Sequence, residues 1–203
     1  MTSPEEVPMT AALKLPSLLD EKQDWTVDDL ASLPPDLRYE LIDGRLIVPS
    51  PTGFPQILGV EIVLALRPSC PPGYAPAPDL SLSIDRRNEP RPDVVVIPER
   101  ELHRSPVPVS NALLAVEFVS PSSHFRDMTA KAAAYATAGV RGYWVVNPAV
   151  PDGIVLTEFR MGADAGYDMV TSTNKVFETT EPYPVTLDLP ALTRVRDRVA
   201  GPA

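Results

Sequence analysis

Asp93 and Glu117 are the residues of this chain best placed to do chemistry. Asp93 opens the apolar run "PDVVVIP", and Glu117 stands in the middle of "ALLAVEFV". Both runs read as β-strands, and the second is apolar on both faces, as a central strand would be. Side chains alternate along a strand. Glu117 therefore shares a face with Leu113, Ala115 and Val119, and Asp93 shares one with Val95 and Ile97. A carboxylate on such a face needs a partner, because an unpaired one is costly to bury and tends to take up a proton. Two arrangements provide one. In the first, each carboxylate makes a structural salt bridge or sits at a strand end near water. In the second, both converge on a divalent cation such as Mg²⁺, which takes oxygen ligands from one or two carboxylates, water and substrate phosphate. Such a cation activates water and stabilises the charge that develops on a phosphodiester under attack.

Lys131 lies in the first turns of the helix that follows the Glu117 strand. Asp127 precedes it by one helical turn, and an exposed pair at that spacing is worth a few tenths of a kcal/mol. The same helix also has to pack back on the sheet beside its preceding strand, which would carry Lys131 to the carboxylate face. The spacing alone leaves both open. Cys70 is the only cysteine, which excludes a disulfide framework and a cysteine-based zinc site. His103 and His124 are the only histidines, too few for a histidine-rich metal centre.

The elements that must position these residues form an α/β pattern. "WTVDDLASLP" reads as a short helix capped by Thr26, with Asp28 and Asp29 in its first turn and Pro34 at its end. "RYELIDGRLIV" reads as a hairpin turning at Asp43-Gly44. A helix is expected over Gln56–Leu66, closed by Pro68, and "CPPGYAPAPD" reads as a loop. "LSLSI" and "PDVVVIP" read as a second hairpin turning through "DRRNEP". After the Glu117 strand, Ser122 or Ser123 opens a helix that runs to about Ala138 and stops at Gly139. "GYWVVN" returns as a strand, "GIVLTEFR" and "YDMVTS" form a late hairpin, and the C-terminal segment is expected to be peripheral. Tyr135, Tyr143 and Trp144 are assigned to the core. The result is a mixed central sheet with a helix crossing over between two strands, flanked by helices and added hairpins.

The bulk numbers agree with one domain of moderate size. The chain has 203 residues, and 44% are hydrophobic, enough for a core. Residues 1–24 are expected to form a flexible tail and residues 25–203 a single domain. The 25 prolines are spread along the chain as loop punctuation. The formal net charge of -9 argues against a broad electrostatic nucleic-acid binder, though not against a nuclease whose acidic residues hold a cation. No apolar run approaches a membrane span, and the N-terminus lacks the pattern of a secretory signal, so a cytoplasmic protein is expected. Nothing in the sequence decides between a monomer and a homodimer.

The ordered series "YELIDGRLI", "PDVVV", "VEFVSPSS", "RD…K", "Y…AGV" and "YWVVNP" resembles the Uma-two family of putative restriction endonucleases, within the PD-(D/E)XK nuclease superfamily. The resemblance extends over roughly Trp25 to Leu189. It implies a restriction-endonuclease-like core that hydrolyses DNA with Mg²⁺, or with Mn²⁺ as a substitute. Asp93 matches the aspartate of the "PD" element and Glu117 the acidic residue after it. Together with the Phe118 backbone carbonyl they would hold the metal. The superfamily's usual lysine position is Val119 here; Lys131, on the following helix, matches the family's displaced lysine. In that role it orients or helps deprotonate the attacking water and offsets phosphate charge. Glu40 matches the upstream acidic residue and would complete the acidic cluster; otherwise it is an ordinary solvent-facing hairpin glutamate. One position departs from the pattern. Pro55 stands where relatives commonly carry a histidine, and a proline side chain can neither donate, accept nor ligate. That substitution and the acidic composition favour the alternative, a catalytically degenerate nuclease fold serving as a binding or assembly module.

Overall fold

The computed structural model describes residues 22–34, 37–49, 53–119, 125–164 and 166–200, with the side chains of 125–127 outside the description. Among the described residues twelve strands are found: β1 (Glu40–Ile42), β2 (Arg45–Ile47), β3 (Tyr74–Pro78), β4 (Leu82–Ser83), β5 (Val94–Pro98), β6 (Val107–Pro108), β7 (Leu114–Phe118), β8 (Gly142–Asn147), β9 (Val155–Met161), β10 (Tyr167–Thr173), β11 (Val176–Thr179) and β12 (Val185–Asp188). Three α-helices accompany them: α1 (Gly53–Leu66), α2 (Phe125–Thr137) and α3 (Leu189–Ala200). The central sheet has six strands in the order β10-β9-β8-β7-β5-β3. It is mixed, because β7 and β8 run parallel around the α2 crossover and the other neighbours run antiparallel.

Burial follows from pattern. Every residue of β5 and of β7 is buried, as their two-sided apolar character requires. One sheet face packs on α1, where Leu58, Ile62 and Leu66 meet Val94, Val116 and Trp144. The opposite face packs under α2, where Tyr135 and Val140 meet Val95, Ala115 and Tyr143. The alternation that puts Val116 on the first face puts Glu117 on the second. The first hairpin forms at Asp43-Gly44, both with positive φ (47° and 74°), the backbone a two-residue hairpin turn demands. Leu41 and Glu89 exchange backbone hydrogen bonds that moor this hairpin to the segment before β5. The Thr26 helix is present as a 3₁₀ helix, Val27–Ser32, with the Thr26 N–H and hydroxyl both donating to Asp29. Lys22 pairs with Asp29 at 2.5 Å, and Asp24 pairs with Arg87 at 2.6 Å.

Three local expectations need correction. The strand beside β5 is β3, inside the stretch expected to be a loop, and not "LSLSI". Prolines mask it: Pro76 and Pro78 lie on β3, which is an edge strand and so does not need every N–H for a ladder. "LSLSI" contributes β4, which pairs in parallel with β6. The C-terminal segment is not peripheral. Tyr183, Val185, Leu187 and Leu189 recur at every second residue, and all four are buried in the core on the α1 side. The helix over 56–66 begins at Gly53, three residues earlier.

Gly139 ends α2 as anticipated. It has φ 82°, its N–H bonds Ala136 O at 3.0 Å, and Val140 N–H bonds Tyr135 O at 3.1 Å, a Schellman closure. A Cβ would meet nothing there within 4 Å, so the whole cost of Gly139→Ala is backbone strain. We expect a loss of about 1 kcal/mol by chemical denaturation, with Gly139→Asn milder. The expected helix start at Ser122 or Ser123, His124 and the Asp127 side chain lie outside the described residues, as do residues 1–21 of the expected tail. Among the described residues no helix is long and apolar enough to cross a membrane.

Candidate active site

The register of β5 against β7 pairs Val94 with Val116 and Val95 with Ala115. Carried one residue further, it sets Asp93 across from Glu117 on the α2 face. The Phe118 N–H donates to Asp93 Oδ2 at 2.7 Å, so the aspartate is clamped to the neighbouring strand.

The crossover helix carries Lys131 onto the same face. Its Nζ lies 2.8 Å from Glu117 Oε2 and 2.8 Å from Glu40 Oε2. Lys131 is only 8% exposed, which rules out the solvent-facing helical pair as its role. Glu40 is not a free hairpin glutamate either, since β1 delivers it to the far side of the ammonium. Tyr135, one turn beyond Lys131, donates its hydroxyl to Glu117 Oε1 at 2.8 Å. Sequence reasoning placed Tyr135 in the core, where it is, and missed that its hydroxyl holds a site carboxylate. The signal was its spacing of one helical turn from Lys131. All four anticipated side chains therefore meet in one cluster.

Electrostatics set the behaviour of this cluster. Burial pushes Asp93 up to about 6; the Phe118 N–H and Lys131 oppose that shift, and Glu40 and Asp79 add to it. Burial likewise raises Glu117 above the usual carboxylate range. Lys131 opposes the rise, and Glu40 and Asp93 reinforce it. Burial works against charge on Lys131 too, but Glu117 and then Glu40 outweigh it and hold the ammonium protonated. Three carboxylates thus face one lysine, an excess of negative charge in a dry place, which a divalent cation would relieve.

The donors fit Mg²⁺ in kind: oxygen only, with two carboxylates and a main-chain carbonyl adjacent. Among the described residues no three His, Cys, Asp or Glu side chains form a ready-made metal cage. Lys131 bridges Glu40 and Glu117, with its ammonium 2.8 Å from an oxygen of each. Pro55 sits in the first turn of α1. Gly59, one turn on, brings α1 so close that a Cβ there would stand 3.9 Å from the Asp93 carbonyl oxygen and from the Phe118 ring. A groove of about 780 Å³ runs beside the cluster, between α2 and the outer strands, lined by Met128, Ala132, Tyr143, Phe159 and Tyr167. Among the described residues no charged side chain lines that groove.

The sequence model of the Uma2 family, described as "Putative restriction endonuclease", matches residues 26–194. This chain belongs to the Uma2 family. The matched range includes Glu40, Asp93, Glu117 and Lys131. A crystal structure of a putative nuclease belonging to DUF820, from Anabaena variabilis ATCC 29413, has the same fold as this Uma2 chain. The two superpose with a TM-score of 0.62 at 17% identity, over 85% of this chain and 99% of that one. No curated protein matches the chain.

Proposed function

We propose that this Uma2 protein is a divalent-metal-dependent endonuclease that hydrolyses DNA phosphodiester bonds. One observation carries the reading: a buried lysine bridges two carboxylates, Glu117 and Glu40, on the sheet face where Asp93 stands across from Glu117. A structural salt bridge needs one carboxylate; the excess of acid around Lys131 suits a site that awaits a cation. Asp93, Glu117 and the Phe118 carbonyl would hold Mg²⁺, with Mn²⁺ as a substitute. Mg²⁺ supplies the positive charge that stabilises a phosphodiester under attack and the acidity that makes water a nucleophile at neutral pH.

The chain's own residues do the rest. Asp93 is fixed by the Phe118 N–H, so its carboxylate needs little reorganisation. Tyr135 fixes Glu117 by donating to one oxygen and leaves the other toward Lys131. Lys131, kept charged by its two carboxylates, orients the attacking water and offsets the growing charge on the phosphate. Glu40 holds the ammonium from the side away from Glu117. Pro55 favours a second reading, a nuclease fold that binds DNA or protein without cutting.

The test is incubation with plasmid and linear DNA in Mg²⁺ or Mn²⁺, with EDTA as control. Cleavage in either metal that stops in EDTA is the expected result. Undiminished cleavage in chelator contradicts the mechanism. DNA binding without cleavage in either metal supports the second reading.

A further inference from the structure

Beside the carboxylate cluster, two arginines share a single aspartate. Asp79 follows β3 with a left-handed backbone, φ 54°, and its N–H bonds the Asp93 carbonyl at 3.2 Å. It is therefore attached directly to the main chain of a residue assigned to the cation. Arg91 donates through Nη1 to the Asp79 carbonyl at 2.9 Å and to Asp79 Oδ1 at 3.3 Å. Arg38, two residues ahead of Glu40, reaches Asp79 Oδ2 from the chain entering β1. One carboxylate can neutralise only one of these guanidinium groups.

Their surroundings say which one. The Arg91 side chain is 23% exposed, is gripped by backbone and side chain of Asp79, and has a buried Nε with no hydrogen-bond partner. It is built in as the structural counter-ion. The Arg38 side chain is 59% exposed, and its one ion pair among the described residues is to a carboxylate already neutralised by Arg91. Arg38 is thus a surplus cation at the rim of the cluster. The other exposed arginines of this region differ: Arg86 is matched by Asp28, and Arg87 by both Asp24 and Asp43. With a divalent cation on Asp93 and Glu117, the negative excess of the cluster disappears and this rim turns positive.

A protein that cuts a polyanion has to hold phosphates on either side of the scissile one. Arginine suits that task because its planar fork presents paired N–H donors to phosphate oxygens. Resting on the nuclease reading above, we propose that Arg38 is a binding subsite for a phosphodiester group of the substrate strand next to the one cleaved. In the free protein the Asp79 carboxylate stands in for that phosphate, and Arg91 keeps Asp79 in place. Arg38 is a positioning residue, because it grips the strand and takes no part in bond making.

Salt dependence separates this role from a structural one. Each phosphate contact releases counterions and contributes about 0.9 to the slope of log K against log salt on duplex DNA. Binding of a duplex oligonucleotide is measured across salt concentrations with Ca²⁺ in place of Mg²⁺. Arg38→Gln is expected to make the slope shallower by about 0.9, whereas Arg38→Lys, which keeps the charge, retains it. Asp79→Asn keeps a residue that tolerates left-handed backbone and frees Arg38, so it should bind as tightly as wild type or more tightly. A wild-type slope in Arg38→Gln overturns the subsite and leaves the nuclease reading standing. Weakened binding in Asp79→Asn does the same, because it makes the ion pair itself the requirement. Failure of the wild-type protein to bind the duplex in Ca²⁺ overturns both.

Discussion

Lys131→Met is expected to cut DNA cleavage about a hundredfold or more while divalent-cation binding persists. That is the usual scale for losing a positioned electrostatic or proton-transfer group. The metal ligands are untouched, so binding of Mn²⁺ should hold or tighten once the competing ammonium is gone. Stability should respond in the opposite sense. Lys131 lies 2.8 Å from both Glu117 and Glu40, and its removal leaves the buried Glu117 carboxylate and the half-buried Glu40 carboxylate without their shared cation. Breaking a buried pair in this way costs about 3–5 kcal/mol. The loss depends on pH. Burial already holds Glu117 above the usual carboxylate range, and removing Lys131 takes away the cation that opposes that rise, so the folded variant binds more protons and its stability falls as pH rises. Denaturant melts should therefore show a large defect at pH 8 that shrinks toward pH 5 and shrinks again with added Mg²⁺. Single-turnover cleavage measured beside Asp127→Asn provides the comparison, since that change leaves Lys131 and both partners in place. Equal and small rate effects from the two substitutions in an active preparation would remove Lys131 from the chemistry.

Asp93→Asn is expected to stabilise the metal-free protein and abolish its response to Mg²⁺. Asp93 is held at about 6, well above the ordinary aspartate value of 3.8, chiefly by burial. An acid with a raised folded pKa penalises the fold above that value. The penalty is absent below the unfolded pKa, grows as pH rises through the interval and is complete above about 6. The interval corresponds to about 3 kcal/mol, an upper scale for the gain at pH 7.5. The asparagine oxygen can still accept from Phe118 N–H, so the clamp between β5 and β7 survives. The gain should vanish toward pH 4. Glu117 is not equivalent: its removal strands both Lys131 and the Tyr135 hydroxyl, so Glu117→Ala should destabilise. A pH-independent loss of stability in Asp93→Asn would show that the carboxylate is a structural partner and not a site in waiting.

The sheet's centre and the carboxylate face were legible because period and punctuation agreed there. β7 and β8 are apolar runs bounded by turn signals, and Gly139 closes the helix between them. Alternation alone put Asp93 with Val95 and Glu117 with Ala115, which is how they stand. What failed to show was pairing that defies local propensity. β3 is hidden by its prolines, which an edge strand tolerates. The C-terminal strand β12 looked peripheral because its apolar residues are few, yet its alternation fills the core around Leu187. Within the site, no spacing rule links Glu40 to Lys131, since the moored hairpin that joins them is a tertiary contact. The Arg38–Asp79–Arg91 group was invisible for the same reason.

Soaking crystals of the protein with Mn²⁺ and recording anomalous scattering tests the central claim most directly. The account predicts one strong peak between the Asp93 and Glu117 carboxylates, beside the Phe118 carbonyl, absent in Asp93→Asn crystals. No peak there at saturating Mn²⁺, with Lys131 still bridging Glu117 and Glu40, would contradict it.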